Sequence, residues 1–170
     1  IPYDGKYIFS EMGYNFLPSE ISAAFALEQL KKLKHNINTR VRNFNTIFNH
    51  FKKYEEFFIL PNEFKGLKTG WLAFPLIIKS QKRILRKNLQ IFLEKNGIQT
   101  RTIFTGNILR QPIMKSQFYK KCKDATINSD NVMKNGILIG CHHGLNNKDI
   151  RYMLSKFDQF LIKYKFQTLK

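Results

Sequence analysis

The chain has 170 residues, 43% of them hydrophobic and 14% aromatic, and a net charge of +17. Its length suits one domain with a real core, and its apolar content excludes a disordered chain. No apolar run is long enough to span a bilayer, and two cysteines, Cys122 and Cys141, are too few for a disulfide framework. Two thiols with no CxxC pair suit a reducing cytoplasm. A start at Ile1, with neither an initiator Met nor a signal-peptide pattern, is what an internal cut would give. The charge alone suggests an anionic partner. The basic residues are spread, however, from Lys31, Lys32, Lys34, Arg40, Arg42, Lys52 and Lys53 to Lys82, Arg83, Arg86, Lys87 and the tail, so a solvated basic surface is the plainer reading.

In chain order, residues 1–18 read as an irregular lead-in broken by Pro2, Gly5, Gly13 and Pro18. Ser19 is a candidate N-cap, with Glu20 favourable in the first turn. Apolar residues then recur at helical spacing from Ile21 to Phe51, which predicts one long helix over 19–53. At 1.5 Å per residue that helix is about 50 Å long. One small domain cannot cover it on all sides, so it is expected to bridge to another domain or subunit. Residues 57–60 read as a short strand ending at Pro61, 62–69 as a loop, and 71–79 as a buried strand in which Pro75 favours an edge or bulge. Ser80 is expected to cap a second helix running to 94 or 95, stopped by Asn96-Gly97 because glycine tolerates positive φ. Residues 98–104 read as a third strand, and 105–130 as a long loop with one helical turn near 116–121. A fourth strand is expected at 137–141. Asn146 or Asn147 then caps a last helix through about Lys163, with Ile150, Met153, Leu154, Phe157, Phe160 and Leu161 on one face. The organisation is a lead-in (1–18), a connecting helix (19–53), a small α/β domain (54–164) of mainly antiparallel strands covered by helices, and a basic tail (165–170).

Several polar groups stand where chemistry could use them. Asn15, in the turn Gly13-Tyr14-Asn15, has an amide donor that can reach a phosphate oxygen; its plain alternative is an Asx turn before a helix. Arg101 stands at a strand end, where a guanidinium fork can clamp phosphate or sugar oxygens or simply pair with a surface carboxylate. Asn107, Arg110 and Gln111, inside Gly106-Asn107-Ile108-Leu109-Arg110-Gln111-Pro112, offer donors for sugar hydroxyls or phosphate, or form a capped loop. His142 and His143 are adjacent, so in a strand they face opposite sides. With no third ligand at useful spacing they make a poor metal site. Read from the residues alone, they are structural histidines at a strand end.

Taken in order, Gly13-Tyr14-Asn15 with Glu20-Ile21-Ser22-Ala23-Ala24, Gly97-Ile98-Gln99-Thr100-Arg101, Gly106 to Pro112, and Cys141-His142-His143-Gly144-Leu145 resemble the C-terminal part of the DegT/DnrJ/EryC1/StrS family. These are pyridoxal-phosphate-dependent nucleotide-sugar aminotransferases and their dehydratase relatives. The resemblance runs from about Pro2 to Ile162. It implies the small C-terminal domain of a fold-type I enzyme, with the large cofactor-binding domain upstream, and a homodimer whose active site lies at the subunit interface. It implies that Asn15 reaches the cofactor phosphate of the neighbouring subunit, that Arg101, Asn107, Arg110, Gln111 and His142 meet the substrate, and that Ala23-Ala24 lets the helix pack beside the large domain. No catalytic residue is expected in this chain, nor any metal.

The Gly-Asn-x-x-Arg-Gln-Pro form resembles the branch of 4-keto-6-deoxyhexose 3-dehydratases, which serve deoxysugar and lipopolysaccharide O-antigen biosynthesis. Aminotransferases usually show a different run here, ending in His. Thr102 departs from the Pro that often follows the arginine. The residue that faces the cofactor lies upstream: a Lys there implies transamination of a keto-sugar, and a His implies a base that helps expel the 3-hydroxyl. Pyridoxal phosphate, or its aminated form pyridoxamine phosphate, is the electron sink either way, with glutamate as amino donor. Some dehydratases of this branch carry an iron–sulfur cluster, which generally needs four thiolates; two cysteines imply the cluster-free kind. The 170 residues alone are expected to be inactive. Two readings from other classes remain, a dimerisation module built on the long helix and a basic nucleic-acid binder. The second lacks a recognition motif, so neither nucleic acid nor membrane is an expected partner.

Overall fold

A computed structural model describes residues 13, 14, 16, 18–62, 64–79, 84–120 and 126–167, with side chains in the last helix as far as Lys163. The chain divides into two compact units, residues 1–34 and 35–170. Helix α1 (Glu20–Phe51) runs for 32 residues, as the periodicity predicts. In the first unit the Ser19 carbonyl accepts the Ala23 N–H, Glu20 sits in the first turn, where the helix dipole favours a negative charge, and Glu28 pairs with Lys31. Ile21, Phe25, Leu27, Leu30 and Leu33 are all exposed, as are Ala23 and Ala24.

In the second unit, α1 buries Phe44, Ile47 and Phe51, spaced three and four apart so that they share one stripe. A 3-10 turn (Lys52–Tyr54) follows. Next come β1 (Phe58–Ile59), β2 (Ala73–Ile78), α2 (Arg86–Lys95), β3 (Thr100–Arg101), 3-10 segments Ile108–Arg110 and Pro112–Ser116, α3 (Ile127–Asn135), β4 (Gly136–Gly140) and α4 (Asn147–Gln167). The strands form one sheet in the order β1-β2-β4-β3, antiparallel throughout. The central pair runs from Ala73 opposite Gly140 to Ile77 opposite Gly136. In β2 the period of two is plain: Phe74, Leu76 and Ile78 are buried, while Ala73, Pro75 and Ile77 are half-buried. β1 pairs only with Ile77 and Ile78, so the other edge of β2 is unpaired in the sheet at Pro75, where a missing N–H is tolerated.

The core gathers the α1 stripe, the buried sheet face and the inner faces of α2 and α4. Phe51 is its hub: its ring lies 5.0 Å from Phe157 and 5.4 Å from Phe58, both edge-on, and 5.9 Å from Phe74. A polar tie crosses its rim. Asp158 on α4 accepts the Tyr54 hydroxyl at 2.7 Å and meets His50 Nε2 at 2.8 Å and Lys53 at 3.2 Å. Burial works against the Asp158 charge, but hydrogen bonds from Tyr54, His50 and Lys53 outweigh it and hold the carboxyl below its ordinary value.

Beyond shifts of one or two residues, several boundaries differ from the sequence expectation. Helix α2 starts at Arg86, behind an extended Leu85; Ser80, the expected cap, lies outside the described residues. Its end is as expected: Gly97 takes φ +73°, and the N–H groups of Gly97 and Ile98 return to the carbonyls of Glu94 and Leu93. The third strand is two residues, not seven, because Phe104 (φ 46°) and Gly106 (φ 68°) turn the chain away in left-handed conformations. The stretch 105–130 is not one loop. Its helical turn falls at Pro112–Ser116, with proline at the start, and it runs into α3, whose sequence INSDNVMKN has no apolar period and buries no residue fully. Helix α4 is capped by Asn146, whose Oδ1 accepts the N–H groups of Lys148 and Asp149 while Asp149 accepts the Asn146 N–H. It continues past Lys163 to Gln167.

Candidate functional site

Strand β3 pairs with β4 only at Ile139 and Leu138, so the last residue of β4, Gly140, has no partner on that side. A cavity of about 480 Å³ opens there. Its walls are residues 72–73, the turn after α2 (97–99), the end of β4, the loop from His142 to Leu145, and Asp149, Tyr152 and Met153 of α4. The lining is mostly apolar, with a few polar side chains at the rim. Two of these are already engaged: Tyr152 donates to the Asn96 carbonyl at 3.0 Å, and Asp149 caps its own helix. Arg101, exposed and opposite Leu138 in the register, has no hydrogen bond or ion pair among the described residues. Nearby Glu94 is taken up by the N–H and hydroxyl of Thr100, which hold its carboxyl below the ordinary value.

The loop carrying His142 is held from inside. Asn43 of α1, 1% exposed, donates through Nδ2 to the carbonyls of both His142 and Leu145 at 3.1 Å. Strand β4 ends before the two histidines, so they sit on a turn rather than in a strand, yet they still diverge. His142 lines the cavity, while His143 Nδ1 accepts from Arg40 at 3.2 Å. Cys141 is buried, which pushes its thiol up to about 12 against the pull of Arg40. Cys122 lies outside the described residues.

The segment Gly106 to Pro112 builds a different structure. Asn107, 3% exposed, accepts the Leu109 N–H through Oδ1 and donates to Asp130 at 2.7 Å. Arg110 meets the same carboxylate side-on, Nε to Oδ1 at 3.0 Å and Nη2 to Oδ2 at 2.6 Å. Arg110 first, then Asn107, holds the Asp130 carboxyl down at about 2. The loop lies so close to α3 that a Cβ on Gly106 would stand 2.4 Å from that of Met133. Gln111 lines a separate cavity of about 240 Å³ with Arg86, Thr102 and Met133.

The structure therefore brings Arg101 and His142 to one cavity, commits Asn107 and Arg110 to Asp130, and gives Gln111 to a second cavity. Asn15 lies outside the described residues. Sequence reasoning missed Asn43 and Asp130. The signal for Asn43 was present: Thr39 and Asn43 are polar residues at four-residue spacing on the stripe that continues to Ile47, and all three are buried. Asp130 had no such signal. Among the described residues no group of three His, Cys, Asp or Glu could hold a metal, and no helix is long and apolar enough to cross a membrane.

Comparison with known proteins covers nearly all of the chain. It is 32% identical over 158 residues to the lipopolysaccharide biosynthesis protein RfbH of Salmonella typhimurium, covering 93% of this chain and 36% of that protein. It is 32% identical over 161 residues to a dTDP-4-dehydro-2,6-dideoxy-D-glucose 3-dehydratase of Saccharopolyspora spinosa, covering 95% and 34%. Among solved structures it is similar to the E. coli GDP-4-keto-6-deoxy-D-mannose-3-dehydratase with bound hydrated PLP, with a TM-score of 0.79 and 30% identity, covering 89% of this chain and 38% of that one. The chain thus spans about a third of the length of these relatives, and its small antiparallel sheet behind one long helix is consistent with the C-terminal part of a fold-type I enzyme. Residues 2–158 match the family as a whole, and the chain belongs to the DegT/DnrJ/EryC1/StrS aminotransferase family.

Proposed function

We propose that the protein containing this chain is a 3-dehydratase dependent on pyridoxal or pyridoxamine phosphate, acting on a nucleotide-linked 4-keto-6-deoxyhexose in deoxysugar or lipopolysaccharide biosynthesis in the cytoplasm. The observation that carries this reading is the likeness, over more than nine-tenths of the chain, to RfbH and to a 3-dehydratase. The cavity supports it. Arg101 offers a guanidinium, and His142 a ring nitrogen, at a mostly apolar recess, a set suited to an anionic, hydroxyl-bearing ligand.

No lysine lines that cavity; in this reading the cradle of the cofactor falls mainly to chain beyond these residues, with Asn15 contributing to its phosphate. When bound, the cofactor supplies the electron sink. In this reading Arg101 and His142 orient the substrate, Gln111 adds a polar contact from the second cavity, and Asn107 and Arg110 hold their loop in place through Asp130. Arg110 keeps Nη1 without a partner among the described residues, available to a substrate oxygen. An iron–sulfur cluster does not suit this chain, which has two cysteines, one a buried thiol held protonated. The exposed apolar residues of α1 support a homodimer, or further chain, against that helix. The 170 residues alone, lacking the base, are inactive.

The test is turnover by the full protein with a nucleotide-linked 4-keto-6-deoxyhexose, pyridoxamine phosphate and glutamate, read by mass spectrometry. The reading expects a product lighter by one oxygen, with 2-oxoglutarate and ammonia released. A product that gains the amine nitrogen would make the protein an aminotransferase instead.

A further inference from the structure

We infer that Asn43 is a positioning residue that holds the His142 turn so that the neutral form of the ring carries its proton on Nε2, and this N–H serves as a hydrogen-bond donor to a sugar or phosphate oxygen in the cavity. The donor role rests on the proposed function; the positioning rests on geometry alone.

A primary carboxamide has two N–H bonds, and Asn43 uses Nδ2 on two carbonyls, His142 and Leu145, each at 3.1 Å. Those carbonyls are the two ends of one turn, which the Leu145 N–H closes on the His142 carbonyl at 3.1 Å. The amide orientation is determined, because the flipped form would set an oxygen against two oxygens. Inside the clamped turn, the Gly144 N–H points at His142 Nδ1 at 3.2 Å. A backbone N–H can only donate, so Nδ1 must accept, and a neutral ring then carries its hydrogen on Nε2. Glycine at 144 gives this contact room: a Cβ there would lie 3.1 Å from Nδ1 and 3.2 Å from Cε1, so the ring would have to shift by a few tenths of an ångström. The opposite edge of the ring, Cδ2 and Nε2, lies near Gly140, which also lines the cavity and where a Cβ would come within 3.4 Å of Cδ2 and 3.6 Å of Nε2.

The remaining charged or titratable groups around the cavity come from two elements, Arg101 of β3 and Asp149 and Tyr152 of α4. Asp149 and Tyr152 are engaged elsewhere. Arg40, on the α1 side, is spent on His143. The Nε2 donor of the neutral ring beside the Arg101 cation gives the site two donors, with the Gln99 amide also in its wall, which suits a ligand rich in oxygen acceptors.

The experiment uses the full protein with nitrogen-15-labelled histidine, assigned by comparison with His142→Ala. Long-range proton–nitrogen correlation spectra of the neutral ring are expected to show a protonated Nε2 and a bare Nδ1 at His142. A protonated Nδ1 would overturn the inference, and because the unsubstituted protein decides this, a variant that fails to fold does not shield it. Asn43→Ala should give a mixture of tautomers and raise KM for the nucleotide sugar about five- to ten-fold with kcat retained, the effect of weakening one hydrogen bond. In a His142→Ala background the same substitution should leave KM where His142→Ala put it; additive effects would mean Asn43 acts by another route and would overturn the assignment. A protonated Nε2 with KM unmoved by His142→Ala would remove the substrate reading of the cavity and leave the positioning intact.

Discussion

Two glycines with nearly equal backbone angles allow one energetic term to be isolated. Gly97 and Gly106 have φ of +73° and +68°, so an alanine at either meets a similar left-handed cost of about 1–2 kcal/mol, partly offset by a similar loss of unfolded-chain entropy. They differ in space. Nothing lies within 4 Å of a Cβ built on Gly97, whereas one on Gly106 would stand 2.4 Å from Met133 Cβ and 2.5 Å from its Cα. Ordinary carbon contacts lie at about 3.5–4.0 Å, so the loop or α3 must retreat by about 1 Å or more. Neither obstructing atom is the free end of a flexible side chain. Overpacking of this kind costs about 1–3 kcal/mol. Gly106→Ala should therefore destabilise the domain by about 1–3 kcal/mol more than Gly97→Ala, by about 2–5 kcal/mol in all. Urea unfolding of the two variants beside the unsubstituted protein, at equal m-value, measures the difference. Because α3 carries Asp130, Gly106→Ala should also loosen the Arg110 contact. Equal costs for the two variants would refute the reasoning.

Phe51→Ala empties the hub between Phe58, Phe74 and Phe157 and should cost about 3–5 kcal/mol, read as a shift in the urea midpoint. Asp158→Asn should cost about 1–2 kcal/mol at neutral pH, since its ionised hydrogen bonds are only partly exposed. The sign with pH follows from its lowered folded pKa: the contribution is present above the ordinary carboxylate value of about 4 and is lost as pH falls through the folded value. The gap between the two proteins should thus close on acidification, and a gap that widens would contradict the assignment. Arg101→Ala in the full protein should raise KM for the nucleotide sugar about ten- to a hundred-fold, the loss of a charged hydrogen bond; an unchanged KM would remove Arg101 from the site.

Elements with a strong period were legible in the sequence. The apolar stripe of α1 from Phe44 to Phe51 and the inner face of α4 each bury what their spacing says they should, because burial itself imposes the period, whereas the same stripe from Ile21 to Leu33 is exposed. Asn96-Gly97 marked the end of α2 for an equally local reason, since glycine accepts the left-handed stop. What failed was what depends on distant partners. Helix α3 buries no residue fully and so has no stripe to read; its polar residues matter because Asp130 meets Asn107 and Arg110, some twenty positions back. β3 was over-extended because Ile98 and Ile103 look like strand residues, while Phe104 and Gly106 adopt backbone angles that nothing local announces. The motif from Gly106 to Pro112 pointed to the family, yet two of its three candidate donors go to a carboxylate rather than to open space. The clamp by Asn43 on the His142 loop spans about a hundred residues, and only the interruption of the α1 stripe by polar Thr39 and Asn43 hinted at it.

The central claim is that this chain belongs to a dehydratase rather than to an aminotransferase. Borohydride reduction of the cofactor-loaded full protein, followed by peptide mass spectrometry, tests it most directly. The account predicts bound cofactor with no phosphopyridoxyl adduct on any lysine. An adduct on a lysine would contradict it and make the protein an aminotransferase.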